Sequence, residues 1–207
     1  IIPLTIVSIL SVTRATSALE NLLAEELMNK AAMVGGHIDD FFEQRIADIK
    51  VISQADVLES DDTKAAQQYF NEVLDANSSL TDIMVITKNG MISSTSRDQK
   101  RIGKNLNNIN PAAFEMFEGV LNAGQGDVFL TDAVVYGDHS SVFIMTPITD
   151  DSNVVVVAVL FFEVSMAPVE QIIAEFDDSV IGDKSVYLLN DDSAVIVSGD
   201  ENQKKYD

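Results

Sequence analysis

The sequence contains no cysteine and no tryptophan, has four prolines, and sets 13 lysines and arginines against 33 aspartates and glutamates. The absence of cysteine excludes a disulfide framework, a thiolate nucleophile and thiolate-ligated zinc, although it does not choose a compartment. A formal charge of −20 repels phosphate backbones, which are bound through lysine and arginine, so a nucleic-acid partner is not expected. The two histidines, His37 and His139, lack the HExxH or clustered spacing of a metal site, and neither a metal nor a cofactor is predicted. There is no P-loop, no G-x-S-x-G elbow and no G-x-G-x-x-G after a strand; Gly124-Gln125-Gly126 is an isolated loop. The acidic pairs Asp39-Asp40, Asp61-Asp62, Asp150-Asp151, Asp177-Asp178 and Asp191-Asp192 fall at caps and turns without calcium-loop spacing. No constellation here predicts an enzyme.

What is present is ample apolar material, 46% of 207 residues, enough for a packed core. The chain opens on the uncharged run Ile1-Ile2-Pro3-Leu4-Thr5-Ile6-Val7-Ser8-Ile9-Leu10-Ser11-Val12, which stops at Arg14. A spanning helix needs roughly 20 such residues, so residues 1–14 read as the outer end of a transmembrane helix, with a buried core helix or a signal-peptide remnant as alternatives. From 15 to 58 the apolar positions Leu19, Leu22, Leu23, Leu27, Ala31, Val34, Ile38, Phe41, Phe42, Ile46, Ile49 and Ile52 recur at steps of three and four, predicting one long stalk helix. Gly35 and Gly36 predict a bend or a tight crossing in it. An apolar stripe of that length needs a partner, either its own domain or a second copy in a homodimer.

A second helix is predicted over 62–77. The period then changes: Ile83-Met84-Val85-Ile86-Thr87 and Met91-Ile92-Ser93-Ser94-Thr95 flank Lys88-Asn89-Gly90, an antiparallel hairpin whose Asn-Gly supplies the positive φ of a tight turn. Asn110-Pro111 caps a short helix with Phe114, Phe117 and Leu121 on its apolar face and Gly124 as its left-handed terminator. Three strands follow at 128–136, 142–148 and 154–163. The last, lacking polar alternation, reads as the central strand buried on both faces. A helix with Pro168 in its first turn comes next, and then Ser185-Val186-Tyr187-Leu188-Leu189 and Ala194-Val195-Ile196-Val197-Ser198 flank Asn190-Asp191-Asp192, repeating the first hairpin.

The fold class is therefore α+β, a long N-terminal helix followed by a five-stranded antiparallel sheet with flanking helices. This order resembles the PAS-like double Cache domain of bacterial chemoreceptors, sensor histidine kinases and membrane diguanylate cyclases. The residues that carry the resemblance are Ile38-Asp39-Asp40-Phe41-Phe42-Glu43-Gln44-Arg45-Ile46-Ala47-Asp48-Ile49, Thr87-Lys88-Asn89-Gly90, Ile102-Gly103-Lys104-Asn105-Leu106, Met145-Thr146-Pro147-Ile148, the run 154–162, and Val186-Tyr187-Leu188-Leu189-Asn190-Asp191. It implies a membrane-distal module at 59–165, a connecting helix at 166–182, and the first hairpin of a membrane-proximal module at 183–207. It further implies an extracytoplasmic sensor domain in the periplasm, held to the inner membrane by its first helix, with a small-molecule ligand (amino acid, organic acid or amine).

The resemblance places the ligand under residues 102–117, against the strands containing 129–136 and 143–146. Asp132 stands where amino-acid-binding members carry an ammonium-binding aspartate. Leu130 replaces their tyrosine, and Phe114-Glu115-Met116-Phe117 replaces their arginine and aromatic cluster. Arg97 and Arg101 are candidate cations for an anionic ligand. Tyr136 and Thr146 are candidate hydrogen-bonding groups, and Phe114, Phe117, Phe129 and Phe143 candidate apolar walls. Two rival readings are a structural dimerisation domain without ligand and a hydrolase whose paired carboxylates converge in a cleft.

Overall fold

The structure is a computed structural model that describes residues 2–58, 63–136, 139–150, 155–178, 187–189 and 195–198, with side chains described from residue 16 onward except at 63, 112, 135, 136, 177, 178, 187, 189 and 195–198. It divides into two units, 1–40 and 41–207.

The helix α1 runs Ile2–Ile52. Gly35 and Gly36 do not interrupt it, and a Cβ built on either meets nothing within 4 Å. Within the chain, neither glycine marks a close approach. Each costs about 1 kcal/mol against alanine, which a helix of this length absorbs. Within the first unit, Leu19, Leu22, Leu23, Met28 and Met33 are exposed, and Lys30 pairs with Glu26 one turn earlier at 3.4 Å. Among the described residues, no helix is long and apolar enough to cross a membrane.

In the second unit, the last turns of α1 carry a buried arginine. Arg45 lies over the Phe41 ring at 5.5 Å and reaches Asp48 at 3.1 Å. The Asn77 amide donates to the same Asp48 carboxylate at 3.0 Å, so the end of α1 is tied to the end of helix α2, Thr63–Ala76.

The sheet consists of β1 Leu80–Thr87, β2 Ile92–Thr95, β3 Phe129–Leu130, β4 Val134–Tyr136, β5 His139–Thr149 and β6 Val156–Ser165. Its order is β2-β1-β6-β5-β3, with β4 also on β5, and every pairing is antiparallel. The apolar run expected in the middle is indeed the central strand β6. The single strand expected at 128–136 is two short ones, because Thr131 turns its hydroxyl inward to take the Phe143 amide at 3.0 Å and so occupies a ladder position. The first hairpin turns at Gly90 with φ +74°, as its Asn-Gly predicts. Helix α3, Pro111–Val120, is capped by the Asn110 side chain, which accepts from the Ala113 amide. Its expected terminator Gly124 does not take positive φ; Gly126 does, at +83°, and the helix closes on Leu121 instead.

Alternation divides the sheet's side chains between two faces. Met84, Ile86, Phe143, Met145, Val159 and Phe161 point to one side and form a buried cluster with Ala113, Phe117 and Val120 of α3. Ile83, Ile144, Leu160, Phe162 and Val164 are buried on the other side. Helix α4, Ala167–Asp178, follows β6, and β7 Tyr187–Leu189 pairs antiparallel with β8 Val195–Ser198 in a separate two-stranded sheet. The expected caps Asp61 and Asp62 lie outside the described residues.

Candidate functional site

Between β2 and α3 the chain crosses the sheet face in a segment fastened by its own backbone. The Ile92 amide donates to the Lys104 carbonyl, the Gly103 amide to the Ile92 carbonyl and the Leu106 amide to the Gly90 carbonyl, at 2.8–2.9 Å. Two single 3-10 turns stiffen it, Gln99–Arg101 capped by the Asp98 carboxylate and Leu106–Asn108 capped by the Asn105 amide oxygen. Gly103 supplies the positive φ, +77°, that lets the segment double back.

Beneath it lies a cavity of about 240 Å³. Met84, Ile92, Phe143 and Phe161 floor it from four strands, and Leu106 and Ile109 roof it from the crossing segment. Phe143 and Phe161 have their ring centroids 5.0 Å apart. The polar lining is Arg101, Asn110, His139 and Glu163. Apolar walls with a few convergent polar groups are the usual construction of a small-molecule site.

The charged part is built from register. Asp82 of β1 and Glu163 of β6 are cross-strand partners, and Phe143 faces Glu163 from the other side. Two carboxylates directly opposite repel each other, and Arg101 is the cation between them, 3.4 Å from Asp82 and 3.6 Å from Glu163, with Asp98 at 3.7 Å. The two carboxylates differ in support. Asp82 is buried and accepts from the Thr95 and Ser96 hydroxyls and from the amides of Ile83, Ser96 and Arg97. That coordination holds the chain after β2. Glu163 has the Ser141 hydroxyl at 3.5 Å and Arg101. The paired carboxylates a hydrolase requires thus converge, but one of them is saturated with donors.

Of the residues expected from sequence, Arg101 and Phe143 line this cavity. Phe117 is 1% exposed in the packed cluster, with Phe114 and Phe129 against it. Thr146 is fully buried, and its hydroxyl donates to the Asp127 carbonyl at 2.7 Å. Asp132 is exposed between β3 and β4, and Arg97 is exposed after β2. The Tyr136 side chain lies outside the described residues. His139 begins β5 opposite Tyr136. Sequence reasoning missed Glu163 and Asp82, although each is the sole charge in its strand, a signal that a polar group has been placed in an apolar sheet for a purpose.

No family model matches the sequence and no curated protein matches it. Solved structures do. The sensor domain of the Vibrio cholerae histidine kinase DctB superposes with a TM-score of 0.66 at 13% identity, over 87% of this chain and 68% of that one. The sensory domain of the Campylobacter jejuni chemoreceptor Tlp3, solved with isoleucine bound, gives 0.63 at 12% identity, over 90% and 74%. A domain of a putative sensory box/GGDEF family protein from Vibrio parahaemolyticus gives 0.56 at 15% identity, over 72% and 62%. This chain therefore has the Cache-type, PAS-like fold of the sensor domains of bacterial histidine kinases, GGDEF proteins and chemoreceptors.

Proposed function

We propose that this chain is the extracytoplasmic, small-molecule-binding sensor module of a bacterial transmembrane receptor. The observation that carries the reading is the cavity of about 240 Å³ under the 98–110 crossing segment, walled by six apolar side chains and by Arg101, Asn110, His139 and Glu163. The fold supports it, since neighbours of the same architecture are sensor domains and one was solved with isoleucine bound. Arg101 and Phe143 belong to the site on this reading, joined by Glu163, Asn110 and the apolar lining.

The same reading places the module in the periplasm, held to the inner membrane by its N-terminal helix, with β7 and β8 opening a second, membrane-proximal module. Leu19, Leu22, Leu23 and Met33 are exposed and share one side of α1 at 3.6 residues per turn. A homodimer through that stripe would cover it. Ligand binding then acts by favouring one arrangement of the crossing segment and sheet over another, which requires unequal affinity for the two. Carrying the receptor most of the way between its states takes about 5.5 kcal/mol of that preference.

A thermal-shift screen of amino acids, organic acids, amines and purines tests this. A true ligand at 100 times its Kd adds about 2.7 kcal/mol of stability, and the shift disappears in Ile109→Trp, which fills the half-buried roof of the cavity. A screen in which no compound class raises the melting temperature, or in which Ile109→Trp responds as the wild type does, contradicts the proposal.

A further inference from the structure

The charge balance around Arg101 and Glu163 says which ligands the cavity admits. Arg101 is the obvious anchor for a ligand carboxylate, yet it stands within 3.4–3.7 Å of three carboxylates, Asp82, Glu163 and Asp98. One positive charge against three negative ones leaves the cluster at minus two. An incoming anion would have to displace Glu163 or Asp82 from the guanidinium and then remain beside both. An incoming cation needs to displace nothing.

Support is also unequal in a way that points to one atom pair. Asp82 is satisfied by hydroxyls and amides with or without Arg101, and it does not line the cavity. Glu163 does line it, its side chain is 12% exposed, and its two contacts are long, 3.5 Å from the Ser141 hydroxyl and 3.6 Å from Arg101. A carboxylate so withdrawn from water gains most from a further charged donor. The rest of the lining is Met84, Ile92, Leu106, Ile109, Phe143 and Phe161, which offer an organic ligand apolar contact, together with Asn110 and His139. The volume of about 240 Å³ lies below the roughly 300–1,000 Å³ usual for ligand pockets, so the ligand is small.

We propose that this cavity takes a compact monoamine cation with an apolar body and no carboxylate, its ammonium group bound by Glu163, while Arg101 is a positioning residue that holds Asp82 and Glu163 side by side. The proposal rests on the sensing function above and narrows it to one ligand class.

Three molecules of matched shape decide it: 3-methylbutylamine as the cation, 4-methylpentanoate as the anion and L-leucine as the zwitterion. Each is titrated calorimetrically into the 207-residue chain, into Glu163→Gln and into Arg101→Met. The amine is expected to bind at least tenfold more tightly than the acid or leucine. Glu163→Gln weakens the amine at least tenfold, and Arg101→Met weakens it by a smaller factor, because it misplaces the carboxylate without removing its charge. Tighter binding of the acid or of leucine overturns the amine assignment and leaves the sensing function standing. So does an Arg101→Met loss as large as the Glu163→Gln loss, in a protein that keeps its wild-type near-ultraviolet circular dichroism. If none of the three binds, the amine assignment falls, and the wider screen decides the sensing function separately. The comparison of the three molecules on the wild-type chain needs no variant, so it holds even if a substitution prevents folding.

Discussion

Along one face of the same sheet, two regions built from similar apolar residues end differently. One group, Ile86, Val159 and Met145, is buried in a cluster with Phe117, Val120 and Ala113 of α3, all nearly or fully buried. The other group, Met84, Ile92, Phe143 and Phe161, lines a cavity with Leu106 and Ile109 of the crossing segment, and Arg101 and Glu163 line it too. A helix bearing phenylalanines fills its volume, whereas a segment of single 3-10 turns spans a gap without filling it. The difference teaches that the cavity owes less to its floor than to its roof: Phe114 and Phe117 stack with their centroids 5.7 Å apart on α3, and no aromatic residue stands between Arg101 and Asn110.

The strongest challenge to this contrast is Phe117→Ala. Removing a side chain that is 1% exposed from the filled end should cost about 3–5 kcal/mol, read as a lowered midpoint in urea denaturation. A loss below about 1 kcal/mol would mean that the filled end is as loosely packed as the hollow one.

Next comes Asp82→Ala, which strips a buried acceptor from the Thr95 and Ser96 hydroxyls and three amides and removes one partner of Arg101. The expected loss is about 3 kcal/mol, mostly from donors left buried without a partner. Raised hydrogen exchange of the Ser96 and Arg97 amides would accompany it, and unchanged exchange would contradict the role given to Asp82.

The smallest effects separate the two turns that pin the crossing segment. Gly90 and Gly103 both take positive φ, but a Cβ on Gly90 would stand 2.8 Å from the Phe114 ring, while Gly103 faces open space. Thermal melts should show Gly90→Ala costing about 2 kcal/mol and Gly103→Ala about 1, the strained backbone alone. Equal losses would remove the packing of α3 on the hairpin turn from the account.

The residues that announce themselves by local chemistry were legible in the sequence. Asn89-Gly90 marks its turn, Asn110-Pro111 its helix start, and the unbroken run of β6 its central place, because each is set by backbone geometry or by burial on both faces. The fold followed from the order of such signals. The site was only half legible. Arg101 and Phe143 were expected and line the cavity, while Asp132 lies exposed and Phe117 is enclosed in the core. Whether an aromatic residue lines a void or fills it depends on what lies above it, and that in turn depends on the path of the 98–110 segment. The Asp82 and Glu163 pair required the register of β1 on β6, and a shift of one residue would have sent one of the two carboxylates to the opposite face.

Methyl-resolved NMR tests the central claim most directly, by titrating the chain with the compound that most raises its melting temperature. The account predicts that the methyl signals of Met84, Ile92, Leu106 and Ile109 shift with a common saturation curve, while those of Ile83 and Ile144 on the opposite sheet face stay in place. Shifts confined to the opposite face, or to Leu19, Leu22 and Leu23 on α1, would contradict it.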